Sequence, residues 1–371
     1  MPTTCDIIFD NNPQKVVYSG SSLNGTVNLS LTEEKKLYGI YLELIGKAYC
    51  TWTRSSGKSS VRYTGEENYL NQKLYFVGSE SCDVRMPPGL HTYKFQYNLP
   101  PQLPTSVEGS LGYVRYTIRV VLNISMWPDK VFKQQFTVLR PFDLNNAPIL
   151  ARPVLAEISE RFFFGGLICC VISSPMNVAV RIPVSGYTPG QTVNIEIKVN
   201  NRSGQEIDGF EVKLIKIIDF FAKRGGITCC GETEEKRTEK RGIAIQEIRA
   251  YGANTNDVIS VNFLVPPIPP TDLSSSNVIK VSYKLKVIAL IGACHRDPKV
   301  FIPITIGTYP LRDNVAANVP AASAPEDNSP EEPPTYEEAL DLINGMKDED
   351  STDFRPKYPM FKRSTSYSNG N

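Results

Sequence analysis

The chain repeats one pattern of apolar residues and turns, and this duplication constrains its fold more than any other feature. Four blocks keep their order when the sequence is shifted by 166 to 170 residues. Chance does not readily preserve so many apolar positions in register, so the chain contains one domain twice. The matched positions include Gly20 with Gly190, Asn24 with Asn194, Leu44 with Leu214, Pro100 with Pro266, Thr105 with Thr271, Tyr116 with Tyr283 and Phe132 with Phe301.

Each block alternates polar and apolar residues, as in residues 26–31, 194–199 and 281–287. A period of two places successive side chains on opposite faces of a strand, one buried and one wet. Glycine and proline turns separate the blocks, and no long helical periodicity occurs before residue 310. The sequence therefore predicts an all-β fold of two tandem immunoglobulin-like β-sandwich domains, residues 5–145 and 150–310.

The connector between the two predicted domains, residues 143–148, is too short for a flexible tether, so we expect the domains to dock. After residue 310 the composition shifts to Ala, Pro, Ser, Asp, Glu and Asn. Such a segment buries too little apolar surface to offset its ordering entropy. Residues 311–371 are predicted to form a disordered, acidic, proline-rich tail.

The formal net charge of +1 gives no reason to expect a nucleic acid partner. The tail is acidic and the remaining body mildly basic, so an acidic membrane surface or partner is an alternative to an ordinary solvated surface. Residues 234–241 mix Glu with Lys and Arg and predict a solvated hairpin tip, with membrane or nucleic-acid contact as the alternative. No signal peptide or membrane-spanning apolar run is recognisable, which favours a cytoplasmic protein.

The eight cysteines are expected to be reduced thiols in that compartment, most of them buried. A zinc site made of the vicinal pairs Cys169–Cys170 and Cys229–Cys230 is the alternative, although neither pair has the usual ligand spacing. The chain has two histidines and no phosphate-binding loop or nucleophile elbow. We expect no cofactor, no metal and no enzymatic activity.

The tail contains the motif Pro333-Pro334-Thr335-Tyr336. Tandem prolines adopt the polyproline II conformation before binding, and the aromatic grooves of WW domains accept such a helix with a tyrosine beside it. These four residues are the predicted WW-domain site, with a simple proline-rich spacer as the alternative. The sequence Arg355-Pro356-Lys357-Tyr358 resembles a degenerate second copy, so Pro356 and Tyr358 form a weaker second candidate site.

A set of motifs in both domains resembles one known family. In the first domain they are residues 17–20 and 24–27, residues 42–48 leading to Trp52, and residues 95–100, 103–109 and 112–116. In the second domain they are residues 186–191 and 200–203. With these motifs the two domains resemble those of the arrestins, and within that family the α-arrestins, or arrestin domain-containing proteins. This resemblance implies paired sandwiches that recognise cargo rather than perform chemistry. No receptor-activation switch is recognisable, so no phosphate-sensing residue is carried over. Thioredoxin binding is left out because the thioredoxin-interacting branch uses a cysteine near the turn where this chain has Asn201.

The WW-domain partners of such tails in this family belong mostly to HECT-type ubiquitin ligases. The resemblance therefore implies a trafficking adaptor that links membrane receptors or transporters to such a ligase and promotes their ubiquitination, endocytosis and sorting. The protein would reach the plasma membrane and endosomes through partners or by peripheral association. A signalling scaffold, or an endosomal sorting protein that acts without a ligase, is the alternative. A further alternative is a secreted, adhesion-type double sandwich. It would need cross-sheet disulfides and an export signal, and no such signal is recognisable.

Overall fold

The computed structural model describes residues 3–56, 59–79, 83–166, 169–225, 234–251, 256–292, 296–312 and 354–360. Apart from two 3-10 helices, Leu144–Asn146 and Pro148–Ala151, the regular structure in these ranges is β-strand. The strands of the first half are β1 Thr4–Phe9, β2 Val16–Tyr18, β3 Ser22–Leu31, β4 Lys35–Ser56, β5 Ser59–Gly78, β6 Val84–Met86, β7 Gly89–Asn98, β8 Val107–Glu108, β9 Gly112–Ile124 and β10 Lys130–Leu139.

The second half repeats this organisation, and the all-β prediction is confirmed. Its strands are β11 Val154–Glu160, β12 Phe163–Gly166, β13 Cys169–Ile172, β14 Met176–Ile182, β15 Gly186–Tyr187, β16 Thr192–Asn201, β17 Ile207–Arg224, β18 Glu234–Tyr251, β19 Asn256–Leu264, β20 Ile279–Ile291 and β21 Lys299–Ile306. The predicted boundaries at residues 145 and 150 fall within the two 3-10 helices.

Each half packs a small sheet against part of one large sheet. The small sheets have the strand orders β1-β3-β7 and β11-β14-β16-β19. The large sheet runs β15-β21-β20-β17-β5-β4-β9-β10-β2, with β18, β6 and β8 paired beside this path. Alternate residues of the strands, such as Val27 in β3 and Leu44 in β4, are fully buried between the layers. Each such side chain contributes about 1.5–3 kcal/mol of burial free energy.

The two predicted turns at Gly20 and Gly190 have the same geometry. Both glycines have a positive φ, +81° and +91°, which other residues rarely adopt. Each lies third in a four-residue turn, closed by a 3.1 Å hydrogen bond from Ser21 N to Tyr18 O or from Gln191 N to Thr188 O. Glycine at that position is the signature of a type II turn. The duplicated glycine is therefore required by the backbone.

A buried tyrosine occupies the same place in each domain. Tyr116 Oη donates a hydrogen bond to Pro104 O and Tyr283 Oη donates one to Pro269 O, each over 2.7 Å. Two residues after each proline, a hydroxyl oxygen accepts a hydrogen bond from a strand amide over 2.9 Å. The pairs are Val138 N to Ser106 Oγ and Ile306 N to Thr271 Oγ1. In the first domain this residue is Ser106, so the predicted match of Thr105 with Thr271 was wrong by one residue. The second domain is one residue shorter between its paired prolines and this point.

The predicted hairpin tip over residues 234–241 was also wrong. These residues form the first half of β18 and pair with β17, with Arg237 opposite Phe220 and Glu239 opposite Ile218. Exposed and half-buried side chains alternate along this stretch, as expected for a strand with one face open to solvent. Charge composition resembled that of a loop, whereas pairing with β17 decided the structure.

We expect Tyr116→Phe and Tyr283→Phe each to destabilise the protein by about 1–3 kcal/mol, because a buried carbonyl loses its donor. Urea unfolding followed by tryptophan fluorescence and circular dichroism measures the change. Tyr309→Phe is the control, because the Tyr309 side chain is 50% exposed. Equal unfolding midpoints for all three variants and the wild type would contradict the role of this hydrogen bond.

Candidate functional site

The junction between the domains is continuous with the large sheet. Strand β17 pairs with β5 through two residue pairs, Lys223 with Thr64 and Arg224 with Tyr63. Beside this pairing, Cys50 Sγ donates a hydrogen bond to Phe221 O over 3.4 Å. Burial raises the pKa of the Cys50 thiol to about 11, which keeps it protonated at neutral pH.

A polar cluster next to this pairing is centred on Glu67. Its carboxylate accepts hydrogen bonds from Tyr69 Oη over 2.8 Å, from Asn277 N over 2.9 Å and from Asn277 Nδ2 over 3.0 Å. Tyr69 Oη also lies 2.7 Å from Ser276 Oγ. Burial raises the pKa of Tyr69 strongly, and the neighbouring Glu67 adds to this rise. The cluster fixes the segment before β20 to the first domain.

Further contacts extend the junction. Glu239 Oε2 accepts hydrogen bonds from Ser110 N and Oγ over 2.8 and 2.7 Å. Arg140 Nη1 lies 3.7 Å from Asp272 Oδ1 beside a cleft of about 350 Å³ between the domains. The connector is fixed as well, because Phe142 N donates to Thr308 Oγ1 over 2.7 Å. The two domains therefore form one docked body, as the short connector predicts.

The start of the tail is attached to the connector. Asn145 Nδ2 donates a hydrogen bond to Pro310 O over 2.9 Å, and Arg312 N donates one to Asn145 Oδ1 over 2.8 Å. Asn145 is itself oriented by Asp143, whose Oδ1 accepts from Asn145 N and Nδ2. These hydrogen bonds, led by the one from Asn145 N, hold the pKa of Asp143 below its usual value. The tail thus leaves the body from a fixed point at the junction.

The predicted WW-domain site, Pro333, Pro334, Thr335 and Tyr336, lies outside the described residues. It remains a prediction. The same holds for the vicinal cysteine pairs, whose side chains are outside the described part of the chain. Of the cysteines that are described, Cys5 and Cys50 are free thiols. Among the described residues, no group of three or more His, Cys, Asp or Glu could hold a metal ion.

The weaker candidate site, Pro356 and Tyr358, lies on the surface of the first domain. Both residues are buried, and the Tyr358 side chain is only 4% exposed. Tyr358 Oη donates a hydrogen bond to Ser106 O over 2.9 Å. In this arrangement a WW domain has no access to Tyr358. A role for these residues in WW binding remains a prediction that requires their release.

The prediction that residues 311–371 are disordered therefore needs a correction for residues 354–360, which we call the docked tail segment. Lys357 N donates a hydrogen bond to Thr137 Oγ1 over 3.1 Å, and Lys357 Nζ donates one to Gln14 Oε1 over 3.0 Å. The sequence carries one signal for order in this segment, although not for where it docks. Phe354, Pro356 and Tyr358 alternate with the charged residues Arg355 and Lys357, a period of two that is unusual in a polar tail.

Comparison with known proteins agrees with this architecture. Residues 5–145 match the model of the arrestin (or S-antigen) N-terminal domain, and residues 173–311 match that of the arrestin C-terminal domain. The chain belongs to the arrestin family, within the arrestin domain-containing proteins, or α-arrestins. Membership supports a general role as a trafficking adaptor or scaffold and points to a non-enzymatic protein.

Curated relatives extend over most of the chain. It is 28% identical to arrestin domain-containing protein 17 of Caenorhabditis elegans over 315 residues, which cover 82% of this chain and 70% of the relative. It is 26% identical to arrestin domain-containing protein 4 of Mus musculus over 377 residues, which cover 95% of this chain and 84% of the relative. The helices among the described residues are the two short 3-10 helices at the connector, and neither could span a bilayer.

We expect Glu67→Ala to loosen the domain junction and to raise the alkylation rate of Cys50 at pH 8. Loss of the carboxylate leaves the backbone and side-chain amides of Asn277 without their acceptor. The domain junction is then expected to open about tenfold more often. In the wild type, a pKa of about 11 instead of 9.0 already lowers the thiolate fraction about a hundredfold. Mass spectrometry of the peptide that contains Cys50 gives the rate.

The matched control is Glu66→Ala, because Glu66 is exposed and adjacent in the same strand. This control is expected to leave the Cys50 alkylation rate at the wild-type value. If Glu67→Ala also leaves the rate unchanged, Glu67 does not hold the junction closed.

Proposed function

We propose that this protein is a trafficking adaptor that links membrane-protein cargo to a HECT-type ubiquitin ligase through a WW domain. One observation supports this role above the others: an arrestin body is followed by a tail with the motif Pro333-Pro334-Thr335-Tyr336. The body would bind a receptor or transporter, and the tail would recruit the ligase. The protein would act in the cytoplasm, and at the plasma membrane and endosomes through its partners.

The physical advantage of the arrangement is effective concentration. A ligase bound through the tail stays close to the cargo, so that transfer of ubiquitin to cargo lysines becomes nearly intramolecular. The docked domains support this use because a cargo bound to either domain keeps its distance from Arg312, where the tail leaves the body. The prolines of the motif add affinity, since their conformation costs little entropy on binding.

We expect Tyr336→Ala in the full-length chain to weaken capture by the WW domains of HECT-type ligases by about thirtyfold, as for a buried tyrosine at the centre of an interface. A pull-down with an array of WW domains measures this loss, and cargo turnover in cells measures its consequence. Tyr367→Ala is the control, because Tyr367 is a tail tyrosine without preceding prolines. Unchanged ligase recruitment and cargo turnover in Tyr336→Ala would exclude the proposed role and favour a scaffold that acts without a ligase.

We further expect phosphorylation of Tyr336 to prevent WW binding. The phosphate adds a charge of about −1.5 to −2, which an apolar tyrosine pocket does not accommodate. Peptides spanning residues 328–340, with and without the phosphate, can be compared by calorimetry against one WW domain. A peptide with phosphate on Ser329, inside the same peptide but outside the four-residue motif, is the matched control for the added charge. Equal affinities of the Tyr336 phosphopeptide and the plain peptide would contradict this expectation.

A further inference from the structure

The hairpin that joins β9 to β10 ends in two large apolar side chains that lie in solvent. Met126 is 94% exposed and Trp127 is 74% exposed, the two highest values among the large apolar residues of the described ranges. The other tryptophan of the chain, Trp52, is buried. A single exposed apolar residue needs no explanation, whereas two adjacent ones at the tip of a hairpin mark a surface that meets another apolar surface.

The backbone of this tip disfavours the residue that it carries. Met126 has a φ of +64°, in the left-handed region that glycine adopts readily and methionine rarely. Met126 is the third residue of a turn closed by a hydrogen bond from Trp127 N to Ile124 O over 3.4 Å. Glycine would form the same turn without strain. An exposed methionine at this position therefore does not serve the turn, and such strain points to a contact outside the chain.

A second exposed apolar loop lies at the same end of the first domain. Residues 87–90, Pro-Pro-Gly-Leu, join β6 to β7, and Leu90 is 70% exposed. Strands β6 and β9 lie on opposite sides of β4, where Leu37 pairs with both Val84 and Ile124. Neighbouring strands are about 4.8 Å apart, so β6 and β9 end about 10 Å from each other. The two apolar loops therefore lie side by side.

The charged side chains around these loops are largely paired with each other. Three ion pairs lie beside the loops: Lys35 with Glu33, Lys36 with Asp83 and Arg85 with Glu34. Asp129 and Lys130 add one charge of each sign. Among the described residues of this end the charges therefore cancel, which gives a nucleic acid or an acidic peptide no complementary surface. The zwitterionic headgroups of a bilayer need none.

We propose that Met126, Trp127 and Leu90 form a membrane anchor that enters the headgroup region of a lipid bilayer. Side chains so exposed at a hairpin tip cannot enclose a ligand, but a fluid bilayer can close around them. The indole ring suits this depth, because its body is apolar while its N–H can bond a headgroup. The flexible thioether chain of Met126 fits an irregular apolar surface. This inference goes beyond the proposed function and does not depend on Tyr336.

The anchor lies at the end of the first domain opposite the junction. Strand β4 carries Leu37 at the anchor end and Cys50 beside the pairing of β5 with β17, about 40 Å apart. A bilayer that contacts Trp127 therefore leaves the junction accessible, and with it the attachment of the tail at Arg312. Membrane contact and binding of a partner by the tail are compatible.

Partition of the full-length chain onto phosphatidylcholine vesicles, with and without phosphatidylserine, tests the anchor. Flotation separates bound from free protein. Trp127→Ala and Met126→Gly are each expected to weaken partition about tenfold, because each removes one large apolar side chain from the interface. Leu90→Ser is expected to weaken it about threefold. Leu155→Ser is the matched control, because Leu155 is 58% exposed on β11 of the second domain, and it is expected to change nothing.

Met126→Gly also separates an anchor from a structural role. Glycine accepts a φ of +64° without strain, so this variant is expected to unfold at the same urea concentration as the wild type or a higher one, although it binds vesicles less. A lower urea midpoint would show that the Met126 side chain stabilises the free fold, which would overturn the argument for an anchor.

Tryptophan fluorescence reports the position of Trp127 directly. Because Trp52 is only 5% exposed, the difference between the emission of the wild type and that of Trp127→Phe belongs to Trp127. This emission is expected to shift to shorter wavelength when phosphatidylcholine vesicles are added, as the indole leaves water. Similar partition onto both kinds of vesicle is expected, since the charges around the loops cancel.

Three results would overturn the proposal. The first is partition that is absent, or that is equal in the wild type and in Trp127→Ala. The second is binding to phosphatidylserine vesicles alone, which would assign the attraction to charges elsewhere on the body. The third is an emission shift that grows with protein concentration without vesicles, which would replace the bilayer by a second copy of the chain.

Discussion

The pairing of β5 with β17 is the contact on which the rest of the molecule depends. In the described part of the chain it spans two residue pairs, and these make the large sheets of both domains continuous. Two backbone pairs alone would resist bending between the domains weakly, so the side chains around them must stabilise the junction. Glu67 supplies an acceptor for the amides before β20, and Cys50 fills the space against Phe221. The result is one body, whose parts keep fixed distances from each other.

A rigid body gives meaning to the positions at which the tail is attached. The first attachment, at Asn145, lies in the connector and thus at the junction itself. The second lies on β10, next to β2 at the far edge of the large sheet. An adaptor must hold two partners at compatible positions. The two attachment points fix parts of the tail relative to both domains.

Local sequence signals predicted much of this structure where one residue decides the backbone. Gly20 and Gly190 are turns because only glycine readily adopts their φ, and alternation identified β3, β16 and β20. The sequence was misleading where charge composition was used to predict a loop without knowledge of strand pairing. Residues 234–241 have the charge mixture of a loop but belong to a long strand. The sequence pattern also matches Thr271 with Thr105 instead of Ser106, because hydroxyl residues occupy both positions.

The sequence by itself determined that the chain is a duplicated β-sandwich protein with a tail that contains a Pro-Pro-x-Tyr motif, because periodicity, turns and proline content are local properties. Only the tertiary structure decided how the domains join and where residues 354–360 lie. Both depend on atoms far apart along the chain, such as Glu67 with Asn277 and Tyr358 with Ser106. A carboxylate or a tyrosine hydroxyl has no preferred partner until the fold brings one acceptor or donor within reach.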